Sequence, residues 1–218
     1  MKYAIIGAGG TGGCLGFFLK KAGKDVTLIA RGKHLEAIRK NGLTIQKLWD
    51  ESRETLPVKA CTAEEYKEIP DVILVCVKGY SMDETVPTIK KIAGKETVVI
   101  PILNIYGTGG RLQKKLPELT VTDGCIYVSA NIMEPGVILQ HGKILRVVFG
   151  ARKPEEETEK MREVAKDMVT DDLEVILSEN IRRDAMVKFS YVSPIGAAGL
   201  YCNAVAADFQ REGEQREM

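Results

Sequence analysis

Gly7, Gly9 and Gly12 stand at G-x-G-x-x-G spacing inside the opening stretch Lys2-Tyr3-Ala4-Ile5-Ile6-Gly7-Ala8-Gly9-Gly10-Thr11-Gly12-Gly13. The chemistry such spacing serves is anion binding by backbone. One glycine lets the chain turn off a strand, one lets backbone approach a diphosphate, and one lets a helix pack closely on the strand. The diphosphate would then meet the unpaired N–H groups around Gly10 and Thr11 at a helix N-terminus, where the macrodipole favours anions. Context supports the motif. It follows an apolar run and precedes Cys14–Gly23, whose apolar residues recur at helical spacing and which ends on a capping glycine. The plain alternative is a glycine loop with no ligand.

Arg31, at the tip of the next β-branched run, Asp25–Ala30, is the second candidate. An acidic residue there would accept from the ribose 2′-hydroxyl of NAD. A guanidinium suits the 2′-phosphate of NADP, with Lys33 adding charge, against the alternative of a solvated loop arginine. Two further apolar runs, Asp71–Val77 and Thr97–Leu103, deliver Lys78 and Asn104 to what should be the same sheet edge, where ligands of open α/β sheets collect. His141 is read as an ordinary strand-end histidine rather than a proton donor. Gly107–Gly110 lacks a following G-K-[ST] and reads as a helix entry, not a phosphate loop.

The elements that must position these residues follow from periodicity and turn chemistry. Helices are expected at 34–41, 63–69 (ended by Pro70), 81–92 and 154–169. Strands are expected at 43–49 and 56–60, forming a hairpin-like excursion about the charged turn Asp50–Glu54. Further strands are expected at 121–130 and 173–177, with 137–141 and 144–149 as a pair after the turn Glu134-Pro135-Gly136. From Asn180 to Asp208 the chain reads as helix, with a kink or break near Ser190 caused by Pro194. The fold class is α/β: a Rossmann-type doubly wound, mainly parallel sheet over residues 1–178, then the start of an all-helical second domain over 179–218. Gln210–Met218 is too polar to complete a core, so that domain is expected to be incomplete.

The 218 residues can bury a substantial core, and a formal net charge of +1 gives no global field for nucleic acid or membrane. Five scattered cysteines without C-x-x-C spacing and two histidines, His34 and His141, imply no metal site and a reduced, cytoplasmic setting. No signal peptide and no bilayer-length apolar run is visible.

Taken together, GAGGTGG, the strand-end Arg31, VCVKGY with Lys78, PILN with Asn104, NIMEPGVILQHGK and MVKF with Lys188 resemble the ketopantoate reductase family over nearly the whole chain. The resemblance implies NADPH-dependent reduction of 2-dehydropantoate to pantoate. It makes Lys188 the general acid, with Lys78 and Asn104 holding cofactor and substrate. The family's helix asparagines are replaced here by Val192, Ser193 and Pro194, which leaves Ser190 or Ser193 as stand-ins for a substrate contact. The alternatives are a reductase of another small 2-oxo acid, or an NADP-binding module without turnover. Ile195, Leu200 and Val205, exposed on an unfinished helical domain, would seek a partner, such as a second copy in a homodimer.

Overall fold

The chain starts with β1 (Lys2–Ile6), α1 (Gly10–Lys21), β2 (Asp25–Ile29) and α2 (Gly32–Asn41) in a computed structural model that describes residues 1–204. Along β1 the side chains alternate. Tyr3 and Ile5 face one core with Leu15 and Phe17 of α1, while Ala4 and Ile6 face a second core on the opposite side of the sheet. Both cores are built of buried apolar side chains, as a sheet covered by helices on both faces requires.

Next come β3 (Leu43–Lys47), β4 (Arg53–Leu56), β5 (Lys59–Cys61) and β6 (Val72–Val75). Sequence expects one strand at 56–60, and the structure divides it at Pro57, which has no N–H to donate. Part of the expected turn becomes β4, antiparallel to β3, while β5 pairs in parallel with β2. The expected helix at 63–69 is a single turn. Glu65 accepts from the Thr62 N–H at 2.8 Å, and the chain then runs without regular secondary structure past buried Tyr66 to Pro70.

Beyond β6 lie α3 (Val86–Ile92), β7 (Val98–Pro101), α4 (Thr108–Lys115), β8 (Thr120–Val121) and β9 (Asp123–Tyr127). The crossover helix starts later than expected, because two 3-10 turns over residues 79–85 carry the chain to Pro87 in the first helical turn. The single expected strand at 121–130 is two strands in two sheets, parted at Thr122. As expected, Gly107 introduces a helix. The N–H of Gly109 donates to the buried Asp123 carboxylate at 2.7 Å, so this helix start already has its anion.

Last come β10 (Ala130–Glu134), β11 (Val137–Gln140), β12 (Arg146–Gly150), α5 (Glu159–Met168), β13 (Glu174–Leu177) and α6 (Ile181–Cys202). The expected pairing of 137–141 with 144–149 does not form. β11 pairs antiparallel with β10 across the Pro135-Gly136 turn and parallel with β3, whereas β12 lies between β9 and β13 in a three-stranded sheet. Thr158 caps α5, so the helix begins at Glu159, five residues after Pro154, rather than at it. α6 runs through Pro194 unbroken. Pro194 and Ser190 are both exposed, on the side of the helix where a backbone hydrogen bond lost to proline costs least. The helix ends at Cys202, short of the expected Asp208, because Asn203 takes a left-handed conformation (φ 48°) that stops it; Val205 and the Gln210–Met218 tail lie outside the described residues. Of the other two residues expected on an exposed apolar surface, Leu200 is exposed and Ile195 is half-buried.

The principal sheet has the order β5-β2-β1-β6-β7-β8 with every neighbouring pair parallel. That is a doubly wound, Rossmann-type sheet whose strand order reverses between β1 and β6. No helix among the described residues is long and apolar enough to cross a membrane.

Candidate active site

The reversal point places the end of β1 beside the end of β6, and the glycine loop fills the junction. Gly7 takes φ +97°, and a Cβ there would lie 3.0 Å from the Cys76 carbonyl oxygen. At Gly12 a Cβ would lie 1.9 Å from the Gly7 carbonyl oxygen, so only glycine lets α1 start this close to β1. Gly9 differs from both, because its missing Cβ would point into open space. α1 also begins without a side-chain cap and without an acidic residue in its first turn. The first N–H groups of a helix have no intrahelical partner. Two crowded glycines and one open one, at an uncapped helix start, fit a dinucleotide diphosphate. Gly10 has a further reason to be glycine: a Cβ would meet the Ala130 carbonyl oxygen of β10 at 2.2 Å.

From this loop the strand ends form a continuous edge. Lys78 follows β6 and is exposed; its carbonyl accepts from the Ser81 N–H at 2.9 Å, while its side chain makes no hydrogen bond or ion pair with the described residues. Its neighbour Gly79 abuts Ile105, where a Cβ would come within 2.0 Å of Cδ1, so the Lys78 loop lies against the loop that carries Asn104. Across from it stands α6. Asn180 starts that helix by accepting from the Arg183 N–H at 3.1 Å, and Ile181 packs against Cys125 and Val148 on the three-stranded sheet. Two turns on, Lys188 is 7% exposed and donates to Asn104 Oδ1 at 2.7 Å. Its ammonium also lies 5.5 Å from the centre of the Tyr127 ring. Burial pushes Lys188 below the ordinary lysine value, opposed by its interaction with Cys125. Leu103, Asn104, Cys125, Ala185 and Val192 line the recess beside it, whose 20 Å³ holds about one water.

A family model described as ketopantoate reductase PanE/ApbA matches residues 3–154. The chain belongs to this family. Relatives include an uncharacterized oxidoreductase YkpB of Bacillus subtilis, 29% identical over 88% of this chain and 62% of its own length. A 2-dehydropantoate 2-reductase of Pyrococcus horikoshii is 33% identical over 90% of this chain and 64% of its own. The chain therefore spans under two thirds of both relatives. Among solved structures, 2-dehydropantoate 2-reductase from Porphyromonas gingivalis superposes with a TM-score of 0.85 at 30% identity, covering 98% of this chain and 76% of that one.

Within this ketopantoate reductase fold the sequence-derived residues fall into two groups. The glycine loop, Lys78, Asn104 and Lys188 gather along one sheet edge, and Arg31 stands exposed just past the end of β2, directly before α2 and with no side-chain bond to that helix. Ser193 stays apart. Five residues after Lys188, it lies about 140° round the helix, and Val192 takes the place beside the recess. The Ser190 hydroxyl donates to the Val187 carbonyl at 2.8 Å and is engaged with its own helix. Sequence reasoning missed Tyr127 and Cys125. Their period-2 spacing on β9 puts both on the face toward α6, but the partner of that face becomes visible only once β9 leaves the main sheet.

Proposed function

We propose that this chain binds NADP(H) at the Gly7–Gly12 loop and carries out, with Lys188 as general acid, the reduction of 2-dehydropantoate to pantoate. The observation that carries the reading is the buried Lys188 ammonium, hydrogen-bonded to Asn104 at the edge that also holds the glycine loop. Backbone N–H groups of Gly10, Thr11 and Gly12 hold the diphosphate, and Arg31 pairs with the 2′-phosphate. Lys78 lies where it would neutralise charge on the coenzyme or on the substrate carboxylate. The nicotinamide supplies a hydride when bound.

Lys188 supplies the proton. An ammonium has three donors, of which Asn104 takes one, leaving two for the carbonyl oxygen of a 2-oxo acid. A carbonyl gaining charge is stabilised by that cation and then protonated by it. Burial favours the transfer, since desolvation weakens the ammonium's hold on its proton. General acid catalysis of this kind contributes about 10²- to 10⁴-fold. The same proposal divides the chain near residue 178, with α6 opening a helical unit, and includes a homodimer.

The test is NADPH consumption, followed by absorbance with 2-dehydropantoate and a panel of other 2-oxo acids, for the wild type and Lys188→Ala. Loss of about 10²-fold or more in kcat with NADPH affinity unchanged is expected. Equal turnover in mutant and wild type removes Lys188 from the chemistry. Turnover of a different 2-oxo acid alone would reassign the substrate, and coenzyme binding without turnover would leave a binding module.

A further inference from the structure

We infer that His34 is a positioning residue for the coenzyme loop, its neutral imidazole tying the Ala8 carbonyl to the Gly136 N–H and losing the Gly136 anchor on protonation. The inference rests on reading Gly7–Gly12 as the coenzyme site.

The clamp is visible in the hydrogen bonds. His34 Nδ1 lies 3.0 Å from the Gly136 N–H, and Nε2 lies 2.8 Å from the Ala8 carbonyl oxygen. A backbone N–H can only donate, so Nδ1 must offer its lone pair. A carbonyl can only accept, so Nε2 must carry the hydrogen. Backbone on both sides thus selects one neutral tautomer. This single ring joins three segments: the glycine loop at Ala8, the first turn of α2 just after Arg31, and the β10–β11 turn at Gly136. On either side of Ala8 the loop is held by its own backbone, with the Gly7 N–H on the Ile29 carbonyl at 3.0 Å and the Gly13 N–H on the Gly9 carbonyl at 2.6 Å. The Ala8–Gly9 peptide between them is oriented by His34, and Gly9 is the glycine with the open side.

Protonation sets N–H against N–H at Gly136. Nothing nearby compensates the charge. The glycine loop contributes no titratable group. Arg31, Lys33 and Glu36 flank His34 on its own segment, and Glu134, from the β10–β11 hairpin, pairs with Arg53. No ion pair joins His34 to a charged side chain among the described residues. Burial accordingly holds the imidazole below the ordinary histidine value, with the Ala8 carbonyl partly opposing it. Acid therefore breaks the anchor at Gly136 while the Ala8 bond follows the displaced ring, the loop loses its fixed position, and coenzyme affinity falls as pH falls.

The experiment is calorimetric titration of the full chain with NADP⁺ and with NAD⁺ between about pH 7.5 and about pH 5. In the wild type, log Kd is expected to rise toward about one unit per pH unit below the His34 pKa. His34→Gln keeps a side-chain N–H for Ala8 and cannot protonate, so it should retain neutral-pH affinity within about threefold and lose that extra slope. His34→Ala should bind about tenfold more weakly at neutral pH, as expected for one lost hydrogen bond with a backbone group left unpaired. Titration of the 2′-phosphate is common to all three proteins and cancels in the comparison. On the unsubstituted chain, ¹⁵N shifts of the His34 ring should show its pKa falling when coenzyme is added. Equal pH slopes in wild type and His34→Gln, or a His34 pKa unmoved by coenzyme, overturns the inference alone. Binding of neither coenzyme by the wild type at any pH overturns the reading of the loop, and the inference with it.

Discussion

Gly9→Ala and Gly12→Ala, three residues apart in one motif, should fail in opposite ways. At Gly12 the added Cβ would sit 1.9 Å from the Gly7 carbonyl oxygen and 3.0 Å from Cys76 Cβ, so the helix must retreat by roughly 1 Å from a sheet packed at full density. The expected destabilisation is about 3 kcal/mol, the upper end for overpacking. For a chain of this size that lowers Tm by about 6–12 °C. At Gly9 the added methyl meets no protein atom within 4 Å, and φ of −70° with ψ of −165° is extended backbone open to alanine. Loss of the favoured capping residue and the smaller entropy of the unfolded chain roughly offset each other, so stability should change by less than about 0.5 kcal/mol. The methyl does, however, fill the side from which a diphosphate would approach the amides. Losing one or two charge-assisted hydrogen bonds, each about 1.5–3 kcal/mol, weakens NADP⁺ by about 10- to 100-fold or more. Thermal denaturation paired with calorimetric titration reads both quantities. A Gly9→Ala protein that binds NADP⁺ like the wild type would refute the placement of the diphosphate.

Other expectations concern charge. Arg31→Ala should weaken NADPH by about 10- to 100-fold while leaving NADH nearly unchanged, and an unaltered coenzyme preference in a binding titration would take Arg31 out of the site. Because burial lowers the Lys188 pKa, the rate should fall as pH rises through a value below the ordinary 10.5; a pH–rate profile flat up to that value counts against the assignment. The same shift has a sign in stability. The unfolded chain binds the proton more tightly, so the Lys188 contribution rises as pH climbs from its folded pKa toward 10.5, and Lys188→Met should remove that increment from denaturation curves. Asp123→Ala should destabilise by about 2 kcal/mol through loss of the α4 cap and an unpaired Gly109 N–H, read as a lower urea midpoint.

Much of the coenzyme half was legible because its signals are local. The G-x-G-x-x-G turn, the β-branched run before Arg31 and the continuous apolar strands before Lys78 and Asn104 each encode their element within about ten residues, by periods that backbone geometry fixes. Errors fell where pairing across distance decides. Arg53 and Glu54 look like part of a charged turn, yet with Thr55 and Leu56 they become a strand because β3 offers an antiparallel partner. Residues 137–140 and 146–150 are adjacent in sequence but join different sheets, since β3 and β9 claim them first.

Sequence by itself determined the order of strands and helices around the glycine loop, and it put a guanidinium rather than a carboxylate at the end of β2. Only tertiary structure decided which side chains meet Lys188. Tyr127, Cys125 and Asn104 lie 61 to 84 residues away along the chain, and burial among them, rather than anything in its own helix, lowers its pKa. The same holds for His34, whose tautomer is set by Ala8 on one side and Gly136 on the other. Local periodicity carries no record of such contacts, because hydrogen-bond partners far apart in sequence are fixed only when the sheets close around them.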